Sequence, residues 1–218
     1  MKHISSKKKE ICISDFDIFI DGQKIKFAKK VEFPDSKEHT IEYHLYEPIN
    51  MNNMFKNVST LISVEMISDQ KASILSIMRT FENCINLESF SINGFNLEQI
   101  SSLEKLFFNT KIKNVDIKMF QDIQIEDMSF MLALSPITKF NFSEINPTNL
   151  KNISHFFENC TSLEEIEIPY NYNLDRLEDI SFMFRGCETI SSIDLSNFLE
   201  TNNVKDISHV FQDCILLK

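Results

Sequence analysis

The sequence predicts an α/β repeat solenoid, with a parallel sheet on one face, short helices on the other and a β-rich cap at its N-terminal end. Three observations carry this. An aromatic position recurs at Phe55, Phe81, Phe107, Phe157, Phe184 and Phe211, with Leu132 in fourth place, at spacings of 26, 26, 25, 25, 27 and 27, and self-similarity at such a period marks stacked supersecondary units. Five residues before each of these positions stands Asn50, Ser76, Ser102, Asp127, Asn152, Asp179 or Asp206, all residues whose side chains accept from the free amides at a helix start. Six residues after most of them, the apolar spacing changes from period 3.6 to period 2, as it does when a strand follows a helix.

Residues 1–10 are polar and lysine-rich and are expected to be a disordered tail. From Ile11 to Phe33 apolar residues alternate with polar ones and are interrupted by Asp21-Gly22, the strongest short hairpin signal. Pro34 to His39 reads as a loop, and Ile41, Tyr43 and Leu45 as a further strand. A stack of repeats needs a differently built end piece over its first core face, so residues 11–49 are read as the cap.

Residues 50–218 are the array, six full repeats and a truncated seventh. Asn152 to Ile168 is the clearest unit, and Asp179 to Leu195 repeats it nearly position for position. Within it Ile153, Phe156, Phe157 and Cys160 have the i, i+3, i+4, i+7 spacing of one buried helical face. Two residues after the aromatic come Asn57, Asn83, Asn109, Leu134, Asn159, Gly186 and Asp213, most of them types that tolerate the left-handed backbone ending a helix. So short a helix cannot hold itself in water, and its stability has to come from its neighbours. The strand follows at Leu163, Ile166, Ile168 and at Ile190, Ile193, Leu195, with Leu87, Phe90, Ile92 earlier; repeats three and four reach it one residue early, at Ile112, Val115, Ile117 and at Ile137, Phe140, Phe142. This Leu-x-x-Leu-x-Leu spacing is the strand signature of leucine-rich repeats. The seventh repeat stops at Lys218 before its strand: either this half-repeat is the cap or the chain continues, and with Lys218 as the native end the strand at Ile193 to Leu195 is expected to leave an edge for edge-to-edge self-association.

The segment Asp179 to Phe198 has the pattern Met-x-x-Met-Phe-x-x-Cys-x-x-Leu-x-x-Ile-Asp-Leu-Ser-x-Phe in its second half and most of its first. It resembles the BspA-like leucine-rich repeat family, found in Mycoplasma-type surface lipoproteins and abundant in some protists. The resemblance spans residues 51–218. It implies a leucine-rich-repeat fold and a role in binding proteins or cell surfaces. Repeats three and four depart from the pattern, with Thr110 and Ser135 in place of the cysteine.

The formal charge is −10. Residues 1–50 carry nine lysines and nine acids, so the surplus lies in residues 51–218, with 13 basic and 23 acidic side chains. An acidic stack repels phosphate backbones and anionic lipid, which argues against a nucleic-acid or membrane-surface role. No apolar run approaches the ~20 residues that span a bilayer, and the basic N-terminus lacks the apolar stretch of a signal peptide. The sequence as written reads as cytoplasmic, or as cell-surface if it is a fragment of a longer adhesin. Sequons at Asn57, Asn152 and Asn159 fall on expected helix ends and a fourth lies at Asn141, a placement that favours a non-secretory location.

Cys12, Cys84, Cys160, Cys187 and Cys214 are odd in number and have no Cys-x-x-Cys spacing, so neither zinc nor a full disulfide set is indicated. Four of them share a column with Val58, Thr110 and Ser135, which reads as a requirement for a small side chain; Cys187 and Cys214 could bridge if their Cα atoms lie within ~7 Å. His155 and His209 share a repeat position with Phe182 between them, too far apart for one metal. Three glycines leave no phosphate-cradling loop and no nucleophile elbow. The expectation is a non-enzymatic protein with no cofactor and no metal.

The remaining feature is the outward row of the strands. Its middle column reads Glu65, Ser91, Asp116, Asn141, Glu167 and Asp194, with Glu165 beside it and Lys118 and Lys139 at the flanks. Carboxylates on adjacent strands ~5 Å apart repel one another, a cost that a basic partner or cation relieves. The expected function is recognition of a protein partner through this face, with Glu65, Asp116, Lys118, Lys139, Asn141, Glu165, Glu167 and Asp194 as the binding residues. The alternative is an adhesin or a fragment of one.

Overall fold

The computed structural model describes residues 16–25, 41–45, 48–68, 71–169, 173–199 and 203–218. The expected tail, Cys12 and most of the segment from Ile11 to Phe33 lie outside them. Asp21 and Gly22 both have positive φ, 50° and 77°, as a two-residue hairpin turn requires. They join β1 (Phe16–Ile20) to β2 (Gln23–Ile25), and β3 (Ile41–Leu45) pairs antiparallel on the other side of β1.

In the array the strands are short and the pairing is discontinuous. β4 (Ile49–Asn50) pairs parallel with β6 (Ile74–Ser76), β5 (Ser63–Ile67) with β7 (Ser89–Asn93), and β8 (Lys139–Asn141) with β9 (Glu165–Glu167). The continuous outer sheet expected from the sequence is therefore two separate strand pairs, β5–β7 and β8–β9. Repeat three breaks it because its chain turns early. Asp116 caps a 3-10 helix, Ile117–Phe120, that buries Ile117 and Phe120 where a third strand would have run. Repeat six likewise forms no strand at Ile193 to Leu195 and instead passes into α1 (Ser196–Leu199). The strand edge on which self-association was expected is thus not formed.

The short helices are also corrected: each is a ridge of consecutive tight turns. In repeat five the amides of Ile153, His155, Phe157 and Asn159 donate to the next repeat, to the carbonyls of Asp179, Ser181, Met183 and Arg185 at 2.7–3.0 Å. The amides between them turn back, Phe156 to Ile153, Glu158 to His155 and Cys160 to Phe157, while Ser154 N–H is accepted by the Asn152 side chain at 2.9 Å. Every amide from 153 to 160 has a partner. An isolated helix of two turns would leave its first four amides without one, so the inter-repeat arrangement wins because backbone donors must be satisfied. The same four cross-repeat bonds recur between repeats three and four, four and five, and six and seven. Isolated parallel bridges at Ser102 to Asp127, Asp127 to Asn152, Asn152 to Asp179 and Asp179 to Asp206 tie the cap column together.

The turns place two residues of each ridge in the left-handed region. The column at Asn57, Asn83, Asn109, Leu134, Asn159, Gly186 and Asp213 has positive φ throughout, as its residue types anticipate. A second column, at Asn53, Arg79, Lys105, Phe130, His155, Phe182 and His209, has it too.

The apolar pattern reads burial correctly even where it misreads the backbone. Ile153, Phe156, Phe157 and Cys160 are fully buried. Phe55, Phe81 and Phe107 stack in parallel at 5.6 and 5.8 Å, and Phe157, Phe184 and Phe211 at 5.6 and 5.9 Å, with the buried Leu132 between the two runs. The first ridge is covered and the seventh is open: Met51 is 1% exposed, while Ile207 in the equivalent place is 57% exposed.

Candidate partner-binding face

The eight residues expected on the outer face fall into two structural groups. Along β5 burial alternates, Met66 inward and Glu65 outward, and Glu65 lies in register with Ser91 on β7. A shallow depression there is lined by Ser63, Val64, Glu65, Ser89, Phe90 and Ser91. On the second strand pair Lys139 is in register with Glu165, and Asn141 with Glu167. Lys139 is ion-paired with Glu165, which holds its ammonium above the ordinary lysine range. Asn141 Nδ2 donates to Glu167 Oε2 at 2.7 Å. The carboxylate repulsion expected along this row is thus relieved within the chain, by a lysine and an amide from the preceding repeat.

Asp116, Asn141 and Asp194 have a second task that the sequence did not disclose. Their Oδ1 atoms accept from the backbone amides two residues on, Lys118 at 3.2 Å, Ser143 at 2.8 Å and Ser196 at 2.8 Å. The Ser196 amide holds the Asp194 carboxyl below its usual range. Lys118 reaches Glu144 at 2.9 Å, and that contact raises its pKa. The structure therefore brings Lys139, Asn141, Glu165 and Glu167 together, places Glu65 on the other strand pair, and leaves Asp116, Lys118 and Asp194 at chain turns.

Two cross-repeat systems on the ridge side were missed. One alternates in charge just before the cap column, with Glu126 to Lys151 at 2.8 Å and Glu178 to Lys205 at 2.6 Å. The lysines hold both carboxyls below the ordinary range, and Lys151, Asp175, Arg176, Glu178, Asn203 and Lys205 line a second shallow depression. The other is a column of rings. Phe130, His155, Phe182 and His209 stack with centroids 4.0, 4.5 and 4.7 Å apart, Lys105 Nζ lies 4.7 Å over Phe130, and His155 Nδ1 is 2.8 Å from Glu158. Both follow the 25–27 spacing; the sequence places His155, Phe182 and His209 at one repeat position, but the stacking of their rings, with Phe130 below them, shows only in the structure.

The cysteine column is also more specific than a need for small size. The thiols of Cys84, Cys160, Cys187 and Cys214 donate to the carbonyls of Phe55, Leu132, Phe157 and Phe184 at 3.0–3.2 Å, and the hydroxyls of Thr110 and Ser135 both donate to Phe107 O at 3.0 Å. All four cysteines are free. Burial pushes Cys84 up to about 11 and Cys160 up to about 12, and raises Cys187 further. Among the described residues no group of three or more His, Cys, Asp or Glu is placed to hold a metal ion, and no helix is long and apolar enough to cross a membrane.

The repeats match the family described as Mycoplasma protein of unknown function, DUF285, over residues 49–168 and again over 134–218. The chain belongs to this family. It is the Mycoplasma-type BspA-like repeat family that the sequence resembles. Among solved structures, this DUF285 chain is similar to a leucine-rich repeat protein from Bacteroides ovatus ATCC 8483, at 19% identity and a TM-score of 0.53, over 86% of this chain and 42% of the other. That likeness supports the leucine-rich-repeat fold, and the chain spans less than half the length of that neighbour. No curated protein matches the chain.

Proposed function

We propose that this chain is a non-enzymatic recognition module, a repeat solenoid that binds a protein partner through its strand-bearing face without cofactor or metal. The observation that carries the reading is the outward row on the paired strands. Glu65, Glu165 and Glu167 are exposed and contribute nothing to the core, while Lys139 and Asn141 fix Glu165 and Glu167 from the neighbouring repeat. Such a row is ordered before any partner arrives, which lowers the entropic cost of docking. Its acidic balance favours a partner with a basic surface, approached faster at low salt.

The test is charge reversal at the exposed positions that cap nothing, Glu65→Lys with Glu167→Lys. A partner is first captured by the unaltered chain from native extract and located by crosslinking. The double variant is expected to lose roughly tenfold or more in affinity, with a weaker salt dependence and a nearly unchanged thermal midpoint. Equal binding by both proteins would remove this face from consideration. Asp194 is unsuited to such a test, because its reversal would also remove the acceptor for Ser196 N–H.

A further inference from the structure

The thiol column keeps one geometry up to its last member, Cys214. Phe184 O accepts both the Cys187 backbone amide, at 3.0 Å, and the Cys214 thiol, at 3.0 Å. The Cys214 sulfur therefore lies directly against the Cys187 backbone. One step down the same geometry recurs, with Phe157 O accepting the Cys160 amide at 2.9 Å and the Cys187 thiol at 3.2 Å. Beside the pair, Gly186 N–H donates to Gln212 O at 2.8 Å, so the two backbones run at the spacing of hydrogen-bonded neighbours, about 4.8 Å. That spacing falls inside the range of roughly 4.4–6.8 Å between Cα atoms that a disulfide spans. Cys84, Cys160 and Cys187 are buried, and Cys214 is partly exposed.

We propose that Cys214 and Cys187 form a redox pair, with Cys214 as the thiol that reacts first and Cys187 as the one that resolves it, so that oxidation staples the last two repeats together. The oxidant is a low-molecular-weight disulfide. The Cys214 thiolate attacks one of its sulfurs, forming a mixed disulfide and expelling one thiolate. Cys187 then attacks Cys214 Sγ, its proton passing to the small thiolate that this second step expels. Two protein thiols are oxidised to one disulfide, and one small disulfide is reduced to two thiols. The stack favours the second step by holding the resolving sulfur in the adjacent repeat, where loop closure is already complete.

The experiment treats the native, reduced chain with oxidised glutathione, alkylates the remaining thiols under acid quench and reads intact mass and linked peptides. The expected product has lost two hydrogens and contains a Cys187–Cys214 link. Cys187→Ser is expected to stop at a glutathione adduct on Cys214, and Cys214→Ser to remain reduced at Cys187. Serine already occupies this column at Ser135, so both variants should fold, and a thermal melt verifies it. A wild-type chain that stops at the adduct, stays reduced, or links through Cys12 or Cys84 overturns the proposal.

Discussion

At position 186 the backbone and the neighbouring repeat together select the residue. Gly186 has φ of +70°, and a Cβ placed there would lie 2.4 Å from Asn159 Oδ1. The equivalent column one end of the array higher shows how a side chain is accommodated: Asn83 Nδ2 donates to Asn57 Oδ1 at 3.0 Å, and Asn109 Nδ2 to Asn83 Oδ1 at 2.9 Å. Asparagine tolerates the left-handed backbone and can join this ladder, whereas a β-branched residue does neither. Gly186→Asn is therefore expected to change stability by less than about 1 kcal/mol, and Gly186→Val to cost roughly 1–3 kcal/mol, read from urea midpoints at unchanged m-value. A larger loss with Asn than with Val would mean that space and not φ governs the site. The residue types of this column already stated its conformation. The other left-handed column, Asn53, Arg79, Lys105, Phe130, His155, Phe182 and His209, mixes residue types and carries no such compositional mark.

On the scale of the element, the cap residues were legible and the element they cap was not. Asp127, Asn152, Asp179 and Asp206 each accept from the amide two residues on, at 2.8–2.9 Å, which is cap chemistry as expected from their type. Helix and turn ridge share that chemistry and bury the same i, i+3, i+4, i+7 set. What separates them is the destination of alternate amides, which lies 25–27 residues away and leaves no local signature. The strands failed for a related reason: Asp116 and Asp194 read as outward strand positions, but as caps they end the strand. Four of these acceptors and ion-pair acids, Asp194, Asp206, Glu126 and Glu178, have carboxyls held below the ordinary range, the first two by backbone amides and the last two by lysines. A depressed acid contributes stability that is present above the unfolded-state value, about 4, and is lost as pH falls through the lower folded value. The thermal midpoint is thus expected to hold from pH 7 to about 5 and to fall below about 4, and Asp206→Asn should flatten that fall. A midpoint insensitive to acid would show that these contacts persist in the unfolded chain.

Across the whole molecule the cross-repeat bonds give the array a direction. Ridges one and three to six each donate from four alternate amides to the carbonyls of the ridge that follows, and ridge two donates from three, Arg79, Phe81 and Asn83, so interior ridges are bonded on both sides. The seventh accepts at Asp206, Ser208, Val210 and Gln212, but no described residue lies beyond it to accept from Ile207, His209, Phe211 and Asp213. In a stack whose units support only their neighbours, stability is roughly a sum of unit and junction contributions, and an end unit with one junction opens first. Native-state hydrogen exchange should therefore be slowest at Ile153, His155, Phe157 and Asn159 and fastest at the four seventh-ridge amides, with intermediate protection at Ile180 and Phe182. The side chains should follow the same order. Phe157, fully buried between repeats, is expected to cost about 3–5 kcal/mol on truncation to alanine, whereas Phe211, 38% exposed and stacked on one side only, should cost less than half as much. Equal protection and equal cost along the array would mean that it unfolds as one cooperative block whose junctions are strong enough to hold the open end at the stability of the middle.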